Sequence, residues 1–340
     1  MLSLLVAGLQ PGLFYTATEV VADPIEAGMN SHGLVAGIHQ TGQGQTEAFV
    51  WQDGKIVWHS PRYTMMAGPN EKGQVAFGND KGLYRWEKGQ VEPCRDVVTS
   101  SAMVPTKVPN KIVSIDEDGR IVAIAEGIDN AYAILTWPKT PSIVKSTDGG
   151  PSILFRPAAI LGKVVAGTSI SPFSPSPSVP QGTCFVRIAD QFATIGGTDT
   201  RPVPTAVASD GTVVGYLNTN RLPFAWKAGT LNLLPLPPGN VPDHPSIGEA
   251  RSVNKHGDVA GFADWQIRTT RGLATETQSF HRACLWQGGQ VTDLSPLIKS
   301  DFAWEAEEAW RIDDKGVVLA MGRKSRLSEE SLLILSPNRS

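Results

Sequence analysis

The stretch Ser252–Asp264 reads "SVNKHGDVAGFAD", and Gly28–Gln40 reads "GMNSHGLVAGIHQ". Each has an apolar approach, a polar turn ending in glycine, and then Val-Ala-Gly. Internal repetition of this kind decides a fold before any residue-level argument does. Five further segments share the pattern: "GPNEKGQVAF" (Gly68–Phe77), "SIDEDGRIVA" (Ser114–Ala123), "AILGKVVAG" (Ala159–Gly167), "VASDGTVVG" (Val207–Gly215) and "RIDDKGVVLA" (Arg311–Ala320). The fourth copy is degenerate, with Lys163 in the glycine slot. Slot positions 33, 73, 119, 163, 211, 257 and 316 are separated by 40, 46, 44, 48, 46 and 59 residues.

Each copy continues alike. An aromatic strand follows the hairpin: "EAFVW" (Glu47–Trp51), "GLYRW" (Gly82–Trp86), "AILTW" (Ala133–Trp137), "TCFVR" (Thr183–Arg187), "PFAW" (Pro223–Trp226) and "ACLW" (Ala283–Trp286). A Gly or Pro turn and a fourth short apolar run come next, such as "KIVWHS" or "QVTDLS". Short alternating runs bounded by Gly, Asn and Asp read as strands. The N/D-x-x-G turns supply the positive-φ residue of a tight hairpin. Four antiparallel strands in about 40 to 50 residues are the unit of a β-propeller blade.

The seventh copy has three strands and then the chain ends, while "LFYTATEVV" (Leu13–Val21) precedes the first hairpin as an orphan strand. The expected fold is therefore an all-β, seven-bladed β-propeller of four-stranded antiparallel blades. It is expected to span residues 1–340 as one domain. The N-terminal strand 13–21 is expected to complete the blade containing residues 308–337 and close the ring.

Composition excludes some functions. A formal charge of -3 does not suit a nucleic-acid binder, which needs a basic surface to displace counterions. No run of eighteen apolar residues predicts a membrane span. The three cysteines, Cys94, Cys184 and Cys284, lack metal-ligand spacing and read as small buried hydrophobes. No HExxH, calcium loop, nucleophile elbow or phosphate-cradling glycine loop is present, so no metal or cofactor is expected. The short apolar "MLSLLVAGLQPG" reads as a first strand or the remnant of a trimmed signal peptide.

The pattern A-x-x-I-N-x-x-G-x-V-x-G, followed by A-F-L-W and G-x-x-x-D-L, resembles the HAF-type repeat of predicted extracellular or surface-associated bacterial proteins. Ala250–Gly261 with Ala283–Leu294, and Ala27–Gly37 with Ala48–Trp51, carry the resemblance best. The ending "AWRIDDKGVVLAMGR…LLILSP" also resembles a terminal copy. The resemblance implies a propeller outside the cytoplasm or in the cell envelope. It carries no catalytic residues to transfer. Copies two to four depart from the pattern, which leaves blade boundaries open across residues 98–204.

Most conspicuous residues have a packing explanation. Trp51, Trp86, Trp226 and Trp286 share one repeat position, with Trp137 a residue away, and are expected to pack between blades. Trp310 is expected in the core. The acidic runs Asp116–Asp118 and Asp313–Asp314 fall in turns, where they are expected to serve local hydrogen bonding and face solvent. His32 and His256 share those turns.

Departures from the repeat are where function is expected. If the first strand of each unit lines the axis, the loops between second and third strands share one face with the interblade connections. The fourth unit inserts "TSISPFSPSPSVPQG" (Thr168–Gly182), read as a stiff excursion. The sixth inserts "ADWQIRTTRGLATETQSFHR" (Ala263–Arg282), read as a functional loop. Its Trp265, Arg268, Arg271 and His281 offer an aromatic and cations for a sugar or an anionic group. His39, Asp80, Asn218, Asp264 and Arg323 follow their second strands and are expected on the same rim. The leading expectation is a non-catalytic, monomeric propeller that binds a glycan or a protein on this face. The alternative is a polysaccharide lyase or hydrolase at the axial mouth. A lyase would need a base such as histidine or tyrosine beside an arginine; His39 or His281 with Arg268 or Arg271 would serve if the pair falls within about 5 Å in a funnel.

Overall fold

The computed structural model describes residues 13–95, 97–99, 108–126, 132–138, 154–161, 164–170, 184–188, 191–197, 199–237, 247–271, 274–325 and 327–339. It is a seven-bladed β-propeller: seven four-stranded antiparallel sheets arranged in a ring. After β1 (Leu13–Ala22), blade one is β2 (Pro24–Met29), β3 (Val35–Gln40), β4 (Thr46–Gln52) and β5 (Lys55–Ser60). Blade two is β6 (Met65–Ala67), β7 (Val75–Asn79), β8 (Gly82–Glu87) and β9 (Gln90–Pro93). Next come β10 (Val98–Thr99), β11 (Lys111–Ile115), β12 (Ile121–Glu126) and β13 (Tyr132–Trp137). Blade four is β14 (Leu154–Leu161), β15 (Val164–Ile170), β16 (Cys184–Ile188) and β17 (Gln191–Ile195). Blade five is β18 (Pro202–Val207), β19 (Val213–Leu217), β20 (Pro223–Lys227) and β21 (Thr230–Leu233). Blade six is β22 (Gly248–Val253), β23 (Val259–Arg271), β24 (Ala274–Gln287) and β25 (Gln290–Asp293). Blade seven is β26 (Glu305–Ile312), β27 (Val318–Arg323), β28 (Ser331–Arg339) and, outermost, β1.

The first strands of neighbouring blades touch one another all the way round, from β2 through β6, β11, β14, β18, β22 and β26 back to β2. They are therefore the axial strands. Closure is made by β1, which runs antiparallel to β28 from Leu13↔Arg339 to Ala22↔Ser331. On its other side, Tyr15 bridges Ile298, and the Lys299 N–H donates to the Tyr15 carbonyl at 2.8 Å. The closing strand is thus gripped from two sides.

Blade three departs from the regular order. Its sheet runs β10-β13-β12-β11, so among the described residues its outer strand lies upstream of its axial strand. The repeat predicts a fourth strand after "AILTW" instead. Two residues, Val98 and Thr99, pair with Thr136 and Leu135 to fill that edge.

Period-two alternation sends successive residues of one strand into two different interfaces. Val35, Phe49 and Trp51 of blade one pack with Leu319, Leu332 and Trp310 of blade seven. Ala36, Ile38 and Val50 pack the other way, against Val75, Phe77 and Trp86 of blade two. The recurring tryptophans Trp51, Trp86, Trp226 and Trp286 are all buried, as their repeat position requires, and Trp310 lies in the core as well.

The glycine turns do more than reverse the chain. Gly33, Gly73, Gly119, Gly211, Gly257 and Gly316 all have φ between 75° and 84°, the region open to glycine at no steric cost. Asn30 Oδ1 accepts the N–H groups of His32 and Leu34, both at 3.1 Å. Its amide then donates to the Asn70 carbonyl of the next blade at 2.9 Å, and the Asn70 amide donates to the Asp116 carbonyl at 2.6 Å. Asn254 donates likewise to the Asp313 carbonyl at 3.1 Å. The acids one position later reach backwards. Glu71 accepts from the Ser31 N–H, Glu117 from the Glu71 N–H, and Asp314 from the Lys255 N–H. Glu117 and Asp314 are exposed, as turn acids are expected to be, and they also tie adjacent blades together.

Candidate functional site

The axial strands carry a recurrent bulge three or four residues before the turn. It falls at Val113, Ala158, Thr205, Arg251 and Trp310, each skipped in its pairing register. A bulge re-aims the side chain it carries. In blades six and seven those side chains are Arg251 and Trp310, and they help to organise an ionic network across the ring. Glu249 is buried, with 7% of its surface exposed, and pairs with Arg221 of blade five. Arg251 Nε stands 3.6 Å from Glu249 Oε2, and its Nη1 donates to Glu308 Oε2 at 2.6 Å. Glu308 Oε2 also accepts from Trp310 Nε1 at 2.9 Å. The Arg251 guanidinium lies 4.9 Å from the centroid of Phe262. Charges of alternating sign thus run from blade five to blade seven.

Nearer the rim, Arg323 Nη2 donates to Glu307 Oε2 and Glu330 Oε1, both at 2.7 Å. The bond to Glu307 outweighs burial and raises the Arg323 pKa. Burial raises the pKa of Glu330 despite the arginine beside it. Arg282 Nη1 is 3.4 Å from Glu305 Oε2. Arg323 was expected to meet a ligand; two carboxylates already hold it.

The sixth-unit insertion is not a loop. β23 and β24 continue as a two-stranded ribbon past the last three-stranded row, Gly248↔Ala263. Eight further pairs run from Asp264↔His281 to Arg271↔Ala274. At about 3.3 Å per residue, the arm reaches roughly 25 Å beyond the blade. Alternating "WQIRTT" and "ATETQS" carry the ladder, and Gly272 and Leu273 lie outside the described residues. Trp265, Arg268 and Arg271 fall on β23, opposite Phe280, Thr277 and Ala274. The side chains of these three site residues lie outside the described part of the structure.

The base of the arm is tied down. His281 Nδ1 is 3.2 Å from Asp264 Oδ1, the His281 ring lies 4.9 Å from Phe262, and the Asp264 N–H donates to the Ile247 carbonyl at 2.9 Å. The other expected rim residues sit apart, each on its own blade. His39 packs edge-on to Phe49 at 5.5 Å, with Nε2 3.6 Å from Glu47 Oε2. Glu47 Oε1 is 2.6 Å from His59 Nδ1. Asp80 is exposed in the β7–β8 turn. Asn218 is exposed too, and its N–H donates to the Arg201 carbonyl at 3.0 Å. Of the expected site, the described side chains bring together Asp264 and His281 alone. The inserted "SPFSPSPSVPQG" of blade four lies outside the described residues.

Sequence reasoning missed Glu249, Arg251, Glu308 and Arg311, because the repeats hide them. The signal was present. Where Arg251 stands three residues before its turn, other copies place Ala27, Ala67, Val113 and Thr205.

No protein-family model matches the chain, and no curated protein matches it in sequence. Solved structures do share its fold. A catalytically inactive virginiamycin B lyase from Staphylococcus aureus, with quinupristin, aligns with a TM-score of 0.50 at 10% identity, over 95% of this chain and 99% of that one. The β-propeller domain of the Trilobed protease from Pyrococcus furiosus aligns with a TM-score of 0.51 at 9% identity, over 95% and 96%. That domain is described as having an open velcro topology, whereas here β1 closes the ring. Identity this low shows the shared architecture and nothing about chemistry.

Proposed function

We propose that this propeller is a recognition protein that engages a glycan or a protein at the cell exterior through the blade-six arm. The observation that carries this reading is the arm itself. Among the described residues both edges of the arm are unpaired, and a two-stranded ribbon of that kind is marginal on its own and a liability unless something covers it. Here it grows out of a rigid ring and is clamped at its root by Asp264 and His281. Trp265 and Arg268 stand in its first half, and aromatic and guanidinium groups suit sugar faces and acidic groups alike. The exterior setting rests on the resemblance to HAF-type repeats.

The enzymatic reading calls for a base such as His39 or His281 beside Arg268 or Arg271. His39 meets Glu47 and Phe49, and His281 meets Asp264 and Phe262. Both imidazoles face carboxylates, and the side chains of Arg268 and Arg271, their candidate partners, lie outside the described residues. A glycan array probed with the wild type and with a Trp265→Ala, Arg268→Ala double variant tests the proposal. Saturable binding lost in the variant at unchanged melting supports the arm as a glycan reader. Array-negative behaviour with arm-dependent capture of one envelope protein makes the partner a protein. Binding that survives the double variant refutes the assignment of these two residues.

A further inference from the structure

We infer that the open edge of β24 in the blade-six arm pairs with the same edge of a second copy of this chain, so that two arms form one four-stranded sheet about a two-fold axis. The function proposed above uses Trp265 and Arg268 on β23. This inference uses the other strand, and the dimer can be measured with no glycan present. The phase of the ladder fixes which backbone groups face outward. Residues of an antiparallel strand alternate between its two sides, and the N–H and C=O of one residue share a side. The Leu294 N–H donates to the Ala283 carbonyl at 3.0 Å, so the Ala283 backbone faces the β25 side of β24. The Asp264 N–H donates to the Ile247 carbonyl at 2.9 Å, so the Asp264 backbone faces the β22 side of β23. From Val259↔Trp286 to Arg271↔Ala274 the ladder runs without a register shift. Counting by twos from Ala283 therefore brings the backbones of Thr275, Thr277 and Ser279 to the β25 side. The paired rows of β25 stop at Cys284↔Asp293. Among the described residues no strand pairs with those three on that side.

Exposed edges are ordinarily blunted by lysine, proline, a bulge or shortness. Residues 274–280, "ATETQSF", hold no lysine, arginine, proline or bulge. Their order is also self-complementary. Antiparallel pairing centred on Thr277 sets Thr277 opposite Thr277 of the second copy. Thr275 then meets Ser279, Glu276 meets Gln278, and Ala274 meets Phe280. No like charges come opposite one another. The outward residues of one copy fall on the outward residues of the other, so Thr275, Thr277 and Ser279 can all exchange main-chain bonds. The overlap uses the whole arm without entering either ring, since Ala274 at the tip stands beside Phe280 near the root. The β23 edge is different. Self-pairing centred on its outward residue Arg268 sets Arg268 opposite Arg268, and like charges directly opposite are destabilising. A strand of unrelated sequence could add to the β24 edge by main-chain bonds alone. The self-complementary order selects a second copy, because a two-fold interface places one patch against itself.

Sedimentation velocity on the full chain over a range of concentrations tests this, and a reversible monomer–dimer equilibrium is expected. Thr277→Pro removes one outward N–H per copy and spares the ladder to β23, as proline at a strand edge does. It should weaken the dimer by about tenfold or more, since each dimer loses two donors. Gln266→Pro removes an outward N–H from the opposite edge of the arm and should leave the dimer intact. Thr277→Cys supplies a positive readout. Residues paired across a two-fold stand about 5.5 Å apart between Cα atoms, within disulfide reach. Mild oxidation should therefore give a covalent dimer of Thr277→Cys and none of Gln266→Cys, because Cys94, Cys184 and Cys284 are buried. The Trp265→Ala, Arg268→Ala variant should lose its glycan and keep the dimer, so the two readings can fail separately. A chain that stays monomeric up to about 1 mM, a dimer indifferent to Thr277→Pro, or one that both prolines abolish equally overturns the proposal.

Discussion

Asparagine and aspartate look interchangeable at the first turn position, and the structure separates them. Both accept N–H bonds of their own turn through Oδ1; only asparagine has an amide left to donate to the next blade. Asn30 and Asn70 hand the connection on, and Asp116 ends it. At the seam, Asp313 cannot donate, and Lys315 Nζ bonds the Ser31 carbonyl at 2.8 Å instead. Asn70→Asp should cost about 1–3 kcal/mol in urea denaturation, since it removes a buried donor and sets a carboxylate against a carbonyl. A similar argument applies to Gly261. A Cβ there would stand 1.9 Å from the Glu249 carbonyl oxygen, so Gly261→Ala should destabilise by roughly 1–3 kcal/mol in the same assay. The turn residues were legible in the sequence because they recur. Their partners were not, because a hydrogen bond spanning 40 or 46 residues leaves no local pattern. Glu26 gives a pH-dependent test. Burial raises its pKa, so its ionised form opposes folding above that raised value, and the penalty disappears as pH falls through the ordinary carboxylate range. Glu26→Gln should therefore melt higher than the wild type at pH 7, by a margin that shrinks on acidification.

At the scale of elements, hairpins were readable and their exceptions were not. Six of the seven blades take their strands in the order the repeat predicts, with the seventh completed by β1 and blade three by β10. "VT" at residues 98–99 is too short to announce itself as a strand, and it gains pairing only because the edge of β13 is open. The insertion in blade six read as a loop because its polar composition lacks an apolar face. It forms strands nonetheless, since β23 and β24 leave the blade already paired and can extend the ladder without new nucleation. Replacing residues 266–279 by a two-residue Asn-Gly turn should leave the melting temperature of the ring within a few degrees of the wild type, because the removed pairs lie beyond β22. A large drop in calorimetry would instead make the arm part of the folding unit.

The ring as a whole depends on one strand near its N-terminus. Tyr15, 2% exposed, fills the core between blades six and seven with Leu285, Leu294, Trp304 and Leu333. Tyr15→Ala should cost about 3–5 kcal/mol, as large-to-small changes of buried aromatics do. The three thiols report closure independently. Cys94, Cys184 and Cys284 are free and buried, and burial lifts Cys94 and Cys184 to about 12. A thiol reagent at pH 8 should find none of them in the native chain, whereas a chain lacking residues 13–22 should expose Cys284 to it early, since Cys284 belongs to blade six, beside the seam. The closed architecture was readable from counting strands at the two ends. The axial charges were not, because each is an isolated departure in one copy and acquires meaning only when seven axial strands converge.

The most direct test of the account compares the wild type with the arm-shortened chain on the same glycan array and the same envelope pull-down. The account predicts a folded, wild-type-like ring that has lost its partner. Undiminished binding by the shortened chain would contradict it and place recognition elsewhere on the propeller.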